Sequence, residues 1–478
     1  MSTECSEEGL RAKLQVEGLG HRRVDVDFTA GRVSSDGGGL LLREADQKFE
    51  LCRRLAACFT DHRNPDFLEH TVEELLRQRV FGLALGYEDL NDHDALGRDP
   101  LMATLVGKRD VQGECRRMPK DQGHAGASAS TLGRLERTPA VADSQSRYAK
   151  IVCDFDALQR TFVEVFIESL GQAPGRLVLD LDPSDIQLHG QQEQRFFHGY
   201  YDHHCYLPIY LYCGAYPLAV RLRPANIDGA LGAVELLEPV VKQLRAAFPS
   251  TQLIIRGDSG FCRDELMAWC EATEGVDFVF GIARNKRLQR ELAKPMAKAR
   301  AAYEKTGQGA RRFRSFRYRT LNNSWSRERR VVGKAEYLSK GENPRFVVTS
   351  LRTKDFGKKA LYEQLYCARG EMENRIKEQQ LDLFGTRTSS HRFRANHVRV
   401  WQAFAAHLLV VLIREHALKG TALESAQANT LRLKLFKIGA LVTASVRRVY
   451  VRLSSAFPLQ RLLREAIRRM RGSPHPSA

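Results

Sequence analysis

Four acidic residues occupy positions where an acid is costly. Asp180 and Asp182 interrupt the apolar run "GRLVLDLDPSD". The two-residue period of a strand sends both to one face and Leu177, Leu179 and Leu181 to the other. Asp258 ends a second apolar run, "TQLIIRGDSG", and the carboxyl ends of strands in α/β sheets are where ligands usually bind. Glu373 lies in "YCARGEMENRIKEQQ", residues 366–380, a stretch of helical composition. At about 100° per residue, Leu361, Leu365, Ala368, Met372 and Ile376 form an apolar stripe, with Tyr366, Arg369, Glu373, Lys377 and Gln380 in a row beside it. Glu371, Asn374 and Glu378 fall on the far, solvated side. Each acid alone has an ordinary reading. Asp182 opens a turn in "DPSD", Asp258 caps one in "GDSG", and Glu373 pairs with Arg369 and Lys377 for roughly 0.2–0.5 kcal/mol each. Jointly they are more specific. Clustered like charges raise their pKa values or take up a cation, and three carboxylates on two strands and a helix suit a hard divalent ion, which keeps waters and accepts phosphate oxygens.

Holding these side chains together calls for a mixed sheet. After an arm with one short strand, "RRVDVDFTA", apolar residues recur at helical spacing from "SDGGGLLLREADQKFELCRRLAACF" to "HTVEELLRQRVFGLALGYEDL". Residues 107–130 carry Gly, Ser and basic residues without periodicity and read as a mobile connection. Beyond the helix "SRYAKIVCDFDALQRTFVEVFIESL", the order strand, strand, strand, helix, strand, helix describes an α/β core with at least one helical crossover. "FRSFRYRTLNNSWSRERRVVGKAEYL" and "RFVVTSL" are rich in aromatic, β-branched and basic residues and read as a β-rich insertion ahead of the Glu373 helix. A strongly apolar helix follows, and the tail from Leu431 to Gly472 holds a single acid, Glu465. The expected segments are therefore 1–150, mainly helical; 151–290, the first part of the core; 291–350, the β insertion; 351–420, the second part of the core; and 421–478, basic and helical.

With 478 residues, 43% of them hydrophobic, the chain can build more than one core. Its formal charge of +17, from 74 Lys and Arg against 57 Asp and Glu, favours a polyanionic partner. No run approaches 18 apolar residues, and "MSTECSEEGLRAKL" is not basic and then apolar as a signal peptide is, so the expected place is the cytoplasm, with no membrane. The ten cysteines form no CxxC, which argues against a zinc or disulfide framework. His203 and His204 beside Cys205 point to opposite faces of a strand and read as structural.

These features resemble the DDE transposases encoded by bacterial insertion sequences. Tyr366, Arg369 and Glu373, at their spacing, match the start of the Tyr, Arg, Glu, Lys signature of one large cut-and-paste branch. "SDGGGLLLRE", "LLRQRVFGLALGYEDLND", "RDP" and "HGQQEQRFFHGYYDHHCYLPIYLYCG" look like one subgroup within it. Two positions bear on the match. The signature's lysine place holds Gln380, with Lys377 one turn earlier, and the family's Asp, any residue, then Thr or Ser fits Asp182-Pro183-Ser184, which favours Asp182 over Asp180.

The resemblance implies a ribonuclease-H-like catalytic core with a β-rich insertion and an N-terminal helical DNA-binding domain. It implies Asp182, Asp258 and Glu373 as catalytic residues and ligands of two Mg²⁺ ions, with Mn²⁺ as the substitute. Tyr366, Arg369 and Lys377 would face DNA. From the residues themselves, Arg312 and Arg314 in the basic insertion read as phosphate contacts, and Trp325 in "NNSWSRERR" reads as a solvent-exposed turn residue, with base stacking as the alternative. The implied partners are the transposon's terminal inverted repeats and target DNA, bound by a homodimer at the nucleoid. The implied reaction is cleavage at the transposon ends and transfer of the freed 3′-hydroxyl into target DNA. A metal-dependent nuclease without strand transfer and a DNA-binding regulator derived from a transposase are the alternatives.

Overall fold

The computed structural model describes residues 14–321 and 324–472, so the polar N-terminal stretch with Cys5 lies outside it. Where the sequence suggests five consecutive segments, the chain forms two compact units. Among the described residues, a central unit holds 49–67 and 134–412, and a terminal unit holds 14–48, 68–133 and 413–472.

The central unit is organised by one large sheet with strands β1 (Arg176–Pro183), β2 (Ile209–Cys213), β3 (Tyr216–Arg221), β4 (Gln252–Gly257), β5 (Val276–Ile282), β6 (Ala310–Tyr318), β7 (Arg329–Leu338) and β8 (Arg345–Thr349). Their order is β3-β2-β1-β4-β5-β8-β7-β6, with Gly341–Glu342 paired to β7. β2 runs antiparallel to both β1 and β3, while β1, β4 and β5 are mutually parallel. The parallel strands read as near-continuous apolar runs because helices cover both faces of such sheets. β4 and β5 follow the helices Ala233–Ala247 and Asp264–Ala272. The helical run Phe393–Leu418 is long and apolar enough to suit a membrane, yet its apolar stretch is 94% buried inside the protein, so it serves as a core helix.

The β-rich segment is not a sheet of its own. β8 pairs with β5 through Val279 opposite Thr349 and Phe280 opposite Val348, so β8, β7 and β6 extend the same sheet. Trp325, expected to be exposed or free to stack on bases, is 4% exposed. The turn that carries it folds onto the helix Asp264–Ala272: Ser326 N–H donates to Asp264 (2.9 Å), and Arg329 donates to Asp264 (2.5 Å) and Glu271 (2.9 Å). Trp325 packs edge-on against Tyr318 at 5.7 Å and beneath the Arg329 guanidinium.

The Glu373 segment is one irregular rod: α-helix at Lys358–Ala360, a π turn at Leu361–Tyr366, a 3₁₀ turn at Cys367–Arg369, α-helix at Gly370–Lys377 and a second π turn at Glu378–Asp382. Regular helical spacing places Glu378 in solvent, but it is 3% exposed. The π turn that starts at Glu378 widens the helix and brings this acid to Arg375 and His407, each at 3.4 Å.

In the terminal unit, the helix Val72–Leu85 starts with a complete capping box between Thr71 and Glu74 and ends on Gly86 at φ 101°. Residues 107–130 are pinned. Asp110 accepts backbone N–H groups of Gly113 and Cys115, and Gln78 exchanges two 2.8 Å bonds with the Ala127 backbone. The C-terminal segment is not wholly helical: Ala440–Ala444 and Val449–Leu453 form a hairpin before the helix Gln460–Arg471. Val33–Ser34 pairs with that hairpin, Ser34 opposite Ala440. Gly38 lies so close to the Leu435 carbonyl that a Cβ would fall 1.7 Å from its oxygen. Lys437 donates to Asp36 (2.6 Å), and Tyr87 donates to the other Asp36 oxygen (2.6 Å). The "SDGGG" motif thus joins residues 34–38 to residues 435–440.

Candidate active site

Asp180 and Asp182 project from the same face of β1, as the strand period requires, but their surroundings differ. Asp180 lies beside Arg256 in the parallel register of β1 and β4. Arg256 clasps both carboxylate oxygens, one at 2.7 Å from its Nη2, and its other terminal nitrogen donates to the Leu365 carbonyl. Burial pushes the Asp180 carboxyl up and Arg256 pulls it back. Asp180 is thus fully engaged in holding β1, β4 and the rod together.

Asp182, two residues on and half-buried, accepts from Arg369 Nη1 at 2.9 Å. Arg369 Nη2 donates to Glu373 at 2.7 Å, so one guanidinium joins acids 191 positions apart in the chain. Glu373 keeps 44% of its side chain in solvent. Asp258, the first residue after β4, caps a 3₁₀ turn at Ser259–Phe261 by accepting from Gly260 N–H at 2.8 Å.

Tyr366 completes the group from the π turn. Its hydroxyl lies over Gly281 of β5, where a Cβ would come within 2.5 Å of it and 3.0 Å of the Ser259 nitrogen, so Gly281 leaves room for the tyrosine beside the Asp258 turn. Burial raises the Tyr366 pKa; Arg369 opposes the rise and Asp258 adds to it.

Burial lifts the Asp182 carboxyl to about 7 despite Arg369, and Asp258, Glu373 and Asp180 push it the same way. Arg369 is held above its ordinary range, because Asp182 and Glu373 outweigh the burial that opposes them. The cluster therefore carries more negative charge than one guanidinium offsets. Among the described residues no three His, Cys, Asp or Glu side chains are already grouped as a metal cage. The donor chemistry still fits a hard divalent cation: carboxylate oxygens, one of them half in solvent, in a cluster short of positive charge. Between Asp182 and Glu373 that charge is supplied by Arg369.

The remaining expected residues stand apart from this group. Lys377 is exposed, while Gln380 donates to the Asp185 carbonyl at 3.1 Å. Arg314 pairs with Glu291 at 3.0 Å, and Arg312 is exposed on β6, the sheet's edge strand. Sequence reasoning missed Arg256 and Gly281. An arginine inside the apolar run "LIIRG" was the signal for the first; nothing local marked the second.

From residue 16 to residue 475 the chain matches the family described as Transposase DDE domain group 1, and it belongs to that family. It is therefore a transposase of the DDE class. Among curated proteins no match is found. A solved structure similar to this chain is the cryo-EM piggyBac transposase synaptic complex with hairpin DNA, at TM-score 0.40 and 14% identity over 93% of this chain and 87% of that one.

Proposed function

We propose that this chain cleaves DNA at transposon ends and joins the freed 3′-hydroxyl to target DNA, with Asp182, Asp258 and Glu373 as the catalytic carboxylates. The observation that carries the reading is Arg369: within the Tyr366, Arg369, Glu373 spacing it binds the first and third of these acids at once, while Tyr366 lies beside the turn of the second. Family membership supplies the transposase class. The sheet order β3-β2-β1-β4-β5, with only β2 antiparallel among the five, supports a ribonuclease-H-like core.

The chemistry is in-line attack on a phosphodiester, first by water and then by the DNA 3′-hydroxyl, without a covalent enzyme intermediate. A divalent cation, Mg²⁺ with Mn²⁺ as substitute, would be held by Asp182, Asp258 and Glu373 and supply Lewis acidity to the entering and leaving oxygens. Arg369, with its flat fork of donors, turns from the carboxylates to a phosphate of the bound end. Tyr366 packs against the neighbouring sugar or base. Arg256 keeps Asp180 out of the reaction and fixes the strand that carries Asp182. Two copies in the cytoplasm, at the nucleoid, would hold the two ends of one element.

The test is cleavage of the DNA that flanks the gene, with Mg²⁺ and with EDTA, followed by a pre-cut end bearing a free 3′-hydroxyl. Mg²⁺-dependent cleavage and joined products are expected. Cleavage without joining would make the protein a nuclease.

A further inference from the structure

We propose that the small sheet formed by Ile186–Gln187, Phe196–His198 and His203–Tyr206 is a stacking platform for unpaired bases of the DNA strand at the Asp182 site. The inference rests on the transposase reading above. Its strands are antiparallel, with Gln187 opposite Cys205 and Phe197 opposite His204. The inner residues Ile186, Cys205 and Tyr206 are fully buried. In contrast, Phe196 is 39% exposed, Phe197 54% and Tyr200 85%. Phe197 meets His204 edge-on at 5.6 Å and Tyr200 meets Tyr201 at 5.0 Å, yet much of each ring stays in water, and such exposure marks a surface that is covered by something else.

The platform is tied to the Glu373 rod at one end and to the His391–Phe393 segment at the other. It begins four residues after Asp182. His203 Nε2 lies 2.7 Å from Asp185 Oδ2, and Gln380, on the Glu373 rod, donates to the Asp185 carbonyl at 3.1 Å. On the other side, Glu193 N–H donates to the His391 carbonyl at 2.8 Å, and the Phe393 N–H donates to the Glu193 carboxylate at 2.9 Å. Gln194 and Asp202, which bracket the aromatic run, are held at φ 59° and 56°. Non-glycine residues in that left-handed region cost free energy and cluster at functional sites.

The chemistry of the run selects the occupant. "RFFHGYY", Arg195–Tyr201, has five rings, one guanidinium and no carboxylate. That suits a polyanion whose bases each offer a π face, and stacking of this kind tolerates any sequence. Paired bases keep their faces to themselves, so the platform reads a strand that is single or opened.

Full-length protein titrated by fluorescence polarisation with a blunt transposon-end duplex, and with the same duplex carrying a three-nucleotide single-stranded extension, tests this. Wild type should bind the extended end about tenfold tighter, the scale of a base stack. Tyr200→Ala and Phe197→Ala should erase the preference and leave blunt binding unchanged, while Tyr200→Phe, which keeps the ring, retains it. A preference that survives both alanine substitutions overturns the proposal. So does an equal loss on both DNAs, or a shift from dimer to monomer with the preference intact, which would make the rings a protein interface. Failure of the transposase reading would show separately, as cleavage in these preparations that does not depend on Glu373.

Discussion

One guanidinium decides how the acidic cluster behaves without DNA. Arg369 binds Asp182 and Glu373 together, so Arg369→Ala leaves these two acids without the cation that lies between them. We expect that variant to melt earlier by about 1–2 kcal/mol of stability, the scale of a partly exposed charged hydrogen bond. Millimolar Mg²⁺ should restore more stability to it than to wild type, measured by thermal melts with and without the ion. Cleavage should fall while the fold survives, and Glu373→Gln should lose more activity than Arg369→Ala. Undiminished cleavage and joining by folded Arg369→Ala protein would reduce the signature to a coincidence of spacing. Arg256 predicts the opposite balance. Its partner Asp180 is buried, and Arg256 donates to both of its carboxylate oxygens. Arg256→Ala should therefore cost about 3–5 kcal/mol in urea denaturation, and adding Asp180→Asn should recover part of that loss. If the double variant is no more stable than the single one, the buried pair is not the source of the effect.

At the level of elements, the helix Phe393–Ile413 carries a pH-sensitive contact. His397 stacks on Phe155 at 4.0 Å, and its Nε2 accepts N–H groups from Trp401 (3.2 Å) and Leu222 (3.3 Å), which fixes it as neutral. Burial lowers its pKa to about 3, and Arg221 and Arg394 push the same way. The unfolded chain then binds the proton more readily than the folded one, so stability is lost as pH falls from about 6.5 towards 3. Wild type should lose up to about 2 kcal/mol between pH 7 and pH 5 relative to His397→Gln, read from urea midpoints. Parallel slopes for the two proteins would remove His397 from the account. Sequence pattern reached the elements that carry local periods: β1 with its two inward acids, β4 ending at Asp258, and the row from Tyr366 to Glu373. It could not reach features set by distant pairing. Nothing within "RFVVTSL" says that Val348 lies opposite Phe280, nor does a 3.6-residue period anticipate the π turn that buries Glu378. Trp325 was misread for a related reason: its ring is covered by Tyr318 and by Arg329, which Asp264 and Glu271 of a distant helix hold in place.

For the whole molecule, a charge of +17 predicts that DNA affinity falls steeply with salt, with a slope near −0.9 per phosphate neutralised on duplex DNA. Affinity unchanged between about 50 and 200 mM salt would rule out a phosphate-dominated track over the basic surface. The terminal unit gives a stability prediction. Gly38→Ala would drive a methyl into the Leu435 carbonyl, at a cost of about 3 kcal/mol or more, because a backbone carbonyl cannot rotate aside as a side chain can. Limited proteolysis should then cut within 1–48, 68–133 or 413–472 before it cuts the central sheet. Unchanged digestion would mean that the contact relaxes without loss. The same contact has a consequence for synthesis. Gly38, Ser34 and Asp36 leave the ribosome some 400 residues ahead of their partners Leu435, Ala440 and Lys437. A nascent chain therefore carries its 34–38 segment unfinished until residues 435–440 have been made, and a chain cut short before that point has an open terminal unit, exposed to proteases instead of stored as a partly competent enzyme.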